Sequence, residues 1–186
     1  MTTPGWKWIL FAGSILFQWY ILASWIYREE QTIAQGIFIR IPCQQLDPKD
    51  PFRGTYLNVN PIPAQFEFED SALYRADQSI WINYSQESGN KYKFHSVQPG
   101  TDHPLMPIYI QARIGYIYPV YPDSVYSASI IYPFSNLFVN EKAAPQLVER
   151  YNKALSDTTT TVYAGMYVLR GKASLEGLWI GDQRLE

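Results

Sequence analysis

The stretch IYIQARIGYIYPV, Ile108 to Val120, decides the fold. Apolar and polar residues alternate along it, and a period of two sends successive side chains to opposite faces of an extended chain, so it reads as a long half-buried strand. A second run, Ser124 to Tyr132, follows across a turn at Tyr121-Pro122-Asp123. The pattern continues upstream. Ile80, Ile82 and Tyr84 alternate with Trp81 and Asn83, and Ser88-Gly89-Asn90 ahead of Tyr92 predicts a hairpin. Ala64, Phe66 and Phe68 alternate with Gln65, Glu67 and Glu69, while Thr55 to Val59 is a short strand ended by Pro61 and Pro63. Ile37, Ile39 and Ile41 oppose Phe38 and Arg40 in a strand expected over Ile33 to Cys43. Downstream, Thr159 to Leu169 and Lys172 to Ile180 are joined at Arg170-Gly171. Ser96 to Pro107, with Pro99, Gly100, Pro104 and Pro107, is expected to be a loop.

One soluble helix interrupts this series, near Asn140 to Leu155. Asn140 is its expected cap, Glu141 lies in its first turn, and Leu147, Val148, Tyr151, Ala154 and Leu155 make an apolar stripe. Many short strands with one helix give a mainly β, α+β class: an antiparallel sheet, sandwich or open barrel with the 140–155 helix packed on it. An aromatic content of 16% fits, because flat rings pack well across strand pairs.

The amino-terminal end follows different rules. WILFAGSILFQWYILASWIY, Trp8 to Tyr27, carries no charge, and as a helix it matches the roughly 30 Å hydrocarbon core of a bilayer. Trp6 and Trp8 at one end, with Trp25 and Tyr27 at the other, stand where amphipathic rings prefer the headgroup level. The expected organisation is therefore an anchor and charged collar over 1–32, spanning the lipid bilayer with about 6–27, and one β-rich domain over 33–186. A cleaved signal peptide has a shorter apolar core ending in small residues, whereas here Ala23-Ser24 leads into Trp25, Ile26 and Tyr27. Lys7 and the amino terminus against Arg28 favour the amino end inside. Gln18, mid-span, is either a contact for a neighbouring transmembrane helix or a tolerated amide.

Charge narrows the partners. With 15 basic and 17 acidic residues the net charge is -2, which leaves no electrostatic basis for nucleic-acid binding. Cys43 is the sole cysteine, so neither an internal disulfide nor a cysteine-based zinc site can form. An exported chain without disulfides suits a bacterial envelope.

Candidate chemistry concentrates in Asp47-Pro48-Lys49-Asp50-Pro51-Phe52-Arg53-Gly54, which sets two carboxylates and a guanidinium in one turn region. Asp before Pro initiates turns, Gly54 permits positive φ, and Arg53 can fork onto either carboxylate, so a structural turn is the first expectation. Asp47, Asp50 and Arg53 as a polar site is the second. His95 and His103, with Asp102 beside the latter, lack the further ligands that a metal needs. No GxSxG, HExxH, phosphate-loop or dinucleotide motif occurs, and neither a catalytic residue nor a cofactor is assigned. Tyr109, Tyr116, Tyr118, Tyr121, Tyr126 and Tyr132 offer a stacking platform for sugars or proteins. Strict alternation, however, puts Tyr116 and Tyr118 on the face of Ile108, Ile110 and Ile114, so packing in the core is the default.

Taken together, these blocks resemble the membrane-anchored GDYXXLXY domain family, found in bacteria. The resemblance is carried by the anchor and collar, by LDPKDPFRGTY, by YPFSNLFVNEKAAPQLVERY around the helix, and by VLRGKASLEGLWIG. Asp47, Pro48, Asp50, Pro51, Arg53, Gly54 and Tyr56 carry its most specific part. The family's Gly-Asp-Tyr is Gly54-Thr55-Tyr56 here, Val59 stands for its Leu, and Pro61 for its final Tyr, so any chemical role of that Asp is lost. The resemblance implies partnership with a polytopic membrane protein or membrane complex and implies no activity. The leading expectation is a non-enzymatic accessory or interaction domain on the bacterial inner membrane, facing the periplasm. The alternatives are a membrane-tethered envelope hydrolase or peptidase-like enzyme and a glycan-binding module.

Overall fold

The computed structural model describes residues 5–44, 56–70, 72–120, 125–134, 136–138, 144–156 and 160–185. In chain order the elements are α1 (Trp6–Gln35), β1 (Ile37–Gln44), β2 (Tyr56–Asn58), β3 (Asn60–Pro61), β4 (Gln65–Phe68), β5 (Ser79–Ser88), β6 (Lys91–Pro99), β7 (Ile108–Val120), β8 (Val125–Ile131), β9 (Asn136–Phe138), α2 (Ala144–Ser156), β10 (Val162–Leu169), β11 (Lys172–Ile180) and β12 (Gln183–Arg184). The chain is mainly β, with one amino-terminal apolar helix, a large mixed sheet and a short second helix.

Ten strands form the sheet, ordered β12-β11-β10-β1-β6-β5-β7-β8-β4, with β3 beside β1 and with β2 and β9 pairing separately. Two antiparallel blocks, β12-β11-β10-β1 and β6-β5-β7-β8-β4, meet at one short parallel pairing, Arg40 opposite Lys91. The expected antiparallel sheet is thus mixed at this seam, and β3 pairs antiparallel with β1 just beyond it, at Cys43 and Gln44. The sheet is folded over. The turn between β10 and β11 bridges the middle of β7, Gly171 to Ile110, with the Gln111 N–H donating to the Gly171 carbonyl at 2.8 Å. Both blocks therefore bury their inner faces in one core. Ile39, Ile41, Met166 and Leu178 come from the first and Ile80, Ile82, Ile110 and Ile114 from the second. Burying one such side chain contributes roughly 1.5–3 kcal/mol.

Helix α1 does not stop at the collar. The residues after Tyr27 keep helical geometry through Gln35, so the strand expected from Ile33 begins at Ile37. At the junction the buried Thr32 donates its hydroxyl to the Arg28 carbonyl at 3.0 Å and accepts the Gly36 N–H on its own carbonyl at 2.9 Å. A side chain at Gly36 would collide with the Thr32 carbonyl and crowd Tyr167. Span and sheet are joined without a linker.

Two other expectations shift. β6 runs on to Pro99, which shortens the loop, and that loop is pinned by buried Asn83. The Asn83 amide donates to Gln98 Oε1 at 2.9 Å, Gln98 Oε1 also accepts from Leu105 N at 2.9 Å, and Trp81 Nε1 donates to the Asp102 carbonyl at 2.9 Å. Second, Tyr116 and Tyr118 are 69% and 37% exposed instead of core. A bulge sets Gly115 and Tyr116 against Ser129 alone, and one extra residue reverses the facing of everything after it. The Ser129 hydroxyl accepts from Tyr116 N at 3.0 Å and fixes the bulge. Helix α2, described over Ala144–Ser156, packs through Leu147, Tyr151 and Ala154, and the expected Asn140 cap lies outside the described residues.

Candidate functional site

Two places in this fold concentrate polar groups. The first is a buried phenol and thiol cluster where β1, β5 and the chain after β8 converge. Tyr84 and Tyr132 hydroxyls lie 3.0 Å apart, and Tyr132 Oη lies 2.9 Å from the Pro63 carbonyl. A phenol has one proton, so Tyr132 spends its proton on Pro63 and Tyr84 donates to Tyr132. Cys43, also buried, has its thiol pushed up to about 12 by desolvation. Burial raises Tyr84, Tyr132 and Tyr151 as well. These groups are neutral and buried, which suits structure and not nucleophilic chemistry.

The relay has a directional consequence. Tyr132→Phe strands the Tyr84 donor and the Pro63 acceptor together and is expected to cost about 2–3 kcal/mol, whereas Tyr84→Phe removes one donor and is expected to cost about 1 kcal/mol. Thermal unfolding of the two variants checks the order; equal losses would refute the relay. The raised values also set an alkaline limit. The unfolded thiol ionises from its ordinary 9.0 and the phenols from 10.0, while the folded ones resist, so unfolding releases protons. Their contribution to stability is full below pH 9.0 and is lost as pH climbs through the raised folded values. Melting temperature is expected to decline above that point, and Cys43→Ala to postpone the decline toward pH 10.0.

The second place is an open cleft of about 690 Å³ between α1 and the folded sheet. Trp25, Arg28 and Glu29 of α1 form one wall. The floor is Ser79 of β5, Gln111 to Arg113 of β7 and Ile131 to Phe134 at the end of β8, and the far wall is Gly171 to Leu175. The Arg170-Gly171 turn builds that wall. Both residues have positive φ, 50° and 83°, as a tight two-residue hairpin requires, and a side chain at Gly171 would press on Tyr109 at 2.8 Å. The docked turn brings Lys172 into the same cleft as Arg113. Three cationic side chains, Arg28, Arg113 and Lys172, thus share the cleft with one carboxylate, Glu29. None of the four makes an ion pair with another described residue. Gln111 Nε2 donates to Ser79 Oγ at 3.1 Å on the floor.

Of the residues singled out by sequence, Asp47, Pro48, Asp50, Pro51, Arg53 and Gly54 lie outside the described residues. Tyr56 begins β2 and pairs in register with Phe138 of β9. Val59 is buried in the core and Pro61 closes onto Cys43 through β3. His95 and His103 are exposed, and no cluster of three or more potential metal ligands occurs among the described residues. The sequence signal for the cleft was thin: an arginine among isoleucines in β7, and a lysine directly after a turn.

A long apolar helix fused to a folded β-sheet, with a cationic cleft at their junction, defines the class: a β-rich domain carried on a helix long and apolar enough to cross a membrane. The GDYXXLXY protein family model matches residues 18–178, and the chain belongs to that family. No curated protein and no solved structure matches it.

Proposed function

We propose that this chain is a single-span protein of the bacterial inner membrane, amino end in the cytoplasm and β-rich domain in the periplasm. There it serves as a non-enzymatic accessory domain that binds an integral membrane partner. The observation that carries this reading is the continuity of α1. No residue of its most apolar window is buried in the domain, which leaves that surface for lipid or other transmembrane helices, and it runs into the sheet with no linker. A domain held so firmly to its span is suited to docking on a neighbour in the same membrane.

Mild detergent purification of the chain at native expression is expected to retain a membrane protein in fixed stoichiometry; recovery of the chain alone would sink the partnership. Protease added to intact spheroplasts is expected to remove the domain beyond about Arg28 and leave the span embedded. Full protection would reverse the orientation.

The Tyr116–Tyr118 pair favours a second reading, glycan binding. Their ring centroids are 6.1 Å apart on an exposed strand end, and Tyr118 is steadied by a hydrogen bond to Gln65 at 2.8 Å. Tyrosine fluorescence that responds to cell-wall fragments, and loses the response in Tyr116→Ala, is its expected signature.

A further inference from the structure

We infer that the cleft between α1 and the β7–β8 and β11 strands binds the phosphate headgroup of an anionic phospholipid in the leaflet next to the domain. This rests on the reading that α1 crosses the bilayer. The argument begins with position. The uncharged run ends at Tyr27, and Trp25, Arg28 and Glu29 on either side of that boundary form one wall of the cleft, which puts its mouth at the headgroup level.

Charge follows. Arg28, Arg113 and Lys172 converge from three separate parts of the chain on a cavity with one opposing carboxylate, and no described residue neutralises them. Such an excess beside a low-dielectric apolar phase seeks an anion, and the commonest anion at that depth is a lipid phosphate. Shape agrees with this occupant. Beyond the cations the cleft is lined by Ile131, Pro133, Phe134 and Leu175, an apolar margin that suits the glycerol and first acyl carbons of a lipid better than free phosphate. Ile131 keeps 46% of its surface exposed there. Glu29 sits at the rim among the cations and sets a preference for a headgroup with its own hydroxyl donors, such as phosphatidylglycerol.

The test uses the full-length chain in mild detergent, titrated with phosphatidylglycerol or phosphatidylcholine and read by native mass spectrometry. The expected result is retention of one phosphatidylglycerol at concentrations on the order of tenfold lower than phosphatidylcholine, with that preference lost in R113A/K172A. Both side chains are exposed, so the variant is expected to fold; should its circular dichroism change, Arg28→Gln carries the same expectation. Equal retention of the two lipids, or an undiminished preference in the variants, overturns the inference. Displacement of phosphatidylglycerol by millimolar inorganic phosphate overturns the lipid assignment in favour of a free anion. Alkaline carbonate extraction separates this from the reading beneath it. A chain stripped from membranes removes the span itself, whereas an embedded chain without lipid preference removes only the headgroup site.

Discussion

Alanine at Gly165 is expected to destabilise the domain by about 2–4 kcal/mol, a large loss for adding one methyl group. The added carbon would fall within the Trp179 indole, which crosses β10 at that point. The ring has nowhere to go. It is 9% exposed, Phe38 meets it edge-on at 5.3 Å, and the Arg184 guanidinium lies 5.6 Å from its centroid. Arg184 is itself held by Glu176 at 3.0 Å. Opposite Gly165 and Met166 the facing strand β11 carries one extra residue, Glu176, so the bulge lies in the strand that bears Trp179. Gly177→Ala on the facing strand is the control, because its new carbon would meet Arg184 Nε at 3.4 Å and Trp179 at 3.5 Å, ordinary contact distances. Thermal unfolding by near-ultraviolet circular dichroism is expected to separate the two by roughly 4–16 °C, since 1 kcal/mol shifts the midpoint of a domain of this size by roughly 2–4 °C. Similar melting of both variants would show that Trp179 yields freely.

The second large effect is expected at Arg40, the residue that holds the seam between the two blocks. Its Nε donates to Asn90 Oδ1 at 2.8 Å, and its Nη1 donates to Asp182 Oδ1 at 2.9 Å and to the Gly181 carbonyl at 3.2 Å. Its N–H donates to the Asn90 carbonyl at 2.7 Å. One side chain thereby ties β1, the β5–β6 turn and the β11–β12 turn at the parallel pairing of β1 with β6. Arg40→Ala is expected to cost about 2–4 kcal/mol and to speed amide exchange first along β1 and β6. Arg40→Lys keeps the charge but cannot fork to Asn90 and Asp182 together, so an intermediate loss is expected. Lys91, at 3.1 Å, and Arg40 both hold the Asp182 carboxyl below the usual carboxylate range. That contribution is present at neutral pH and disappears as pH falls through the lowered value. Asp182 is open to solvent, so salt screens it, and most of the Arg40 effect comes from the half-buried amide and carbonyl bonds. Half-molar salt that reproduced the Arg40→Ala loss in the wild type would refute this division.

Much of the architecture was legible because burial imposes a period of two. Ile80, Ile82 and Tyr84, or Lys172 to Ile180, could be read as strands from spacing alone, and Arg170-Gly171 from its turn chemistry. Legibility failed where something non-local intervened. Gly115 looked like one more step of an alternating run, but the inserted residue it shares with Tyr116 turned two tyrosines outward, and only the register against Ser129 reveals that. The continuation of α1 through Gln35 depended on Thr32 finding a buried place beside β10, a tertiary fact. Parallel contact between β1 and β6 has no local signature at all. The cleft was illegible for the same reason: residues 25–29, 111–113 and 171–175 come together only because Gly171 lets a hairpin tip dock on a distant strand. The turn over Asp47 to Gly54, to which the sequence drew most attention, lies outside the described residues and leaves its two readings as they stood.

The fused junction at Thr32 and Gly36 has a consequence for how the domain meets other molecules. A helix of 30 residues at 1.5 Å each is about 45 Å long, roughly 15 Å more than the hydrocarbon it would cross. The surplus is a stiff post, and the domain rides on it at a set height with a set heading. With α1 crossing a bilayer as proposed, any tilt of the span in response to bilayer thickness becomes a displacement of the domain, as with a lever. A neighbour in the same bilayer then searches only a plane and an angle, and much of the rotational entropy of association has been surrendered before the two molecules touch. Three or more glycines inserted after Gln35 would uncouple the lever and loosen the cleft wall that α1 supplies.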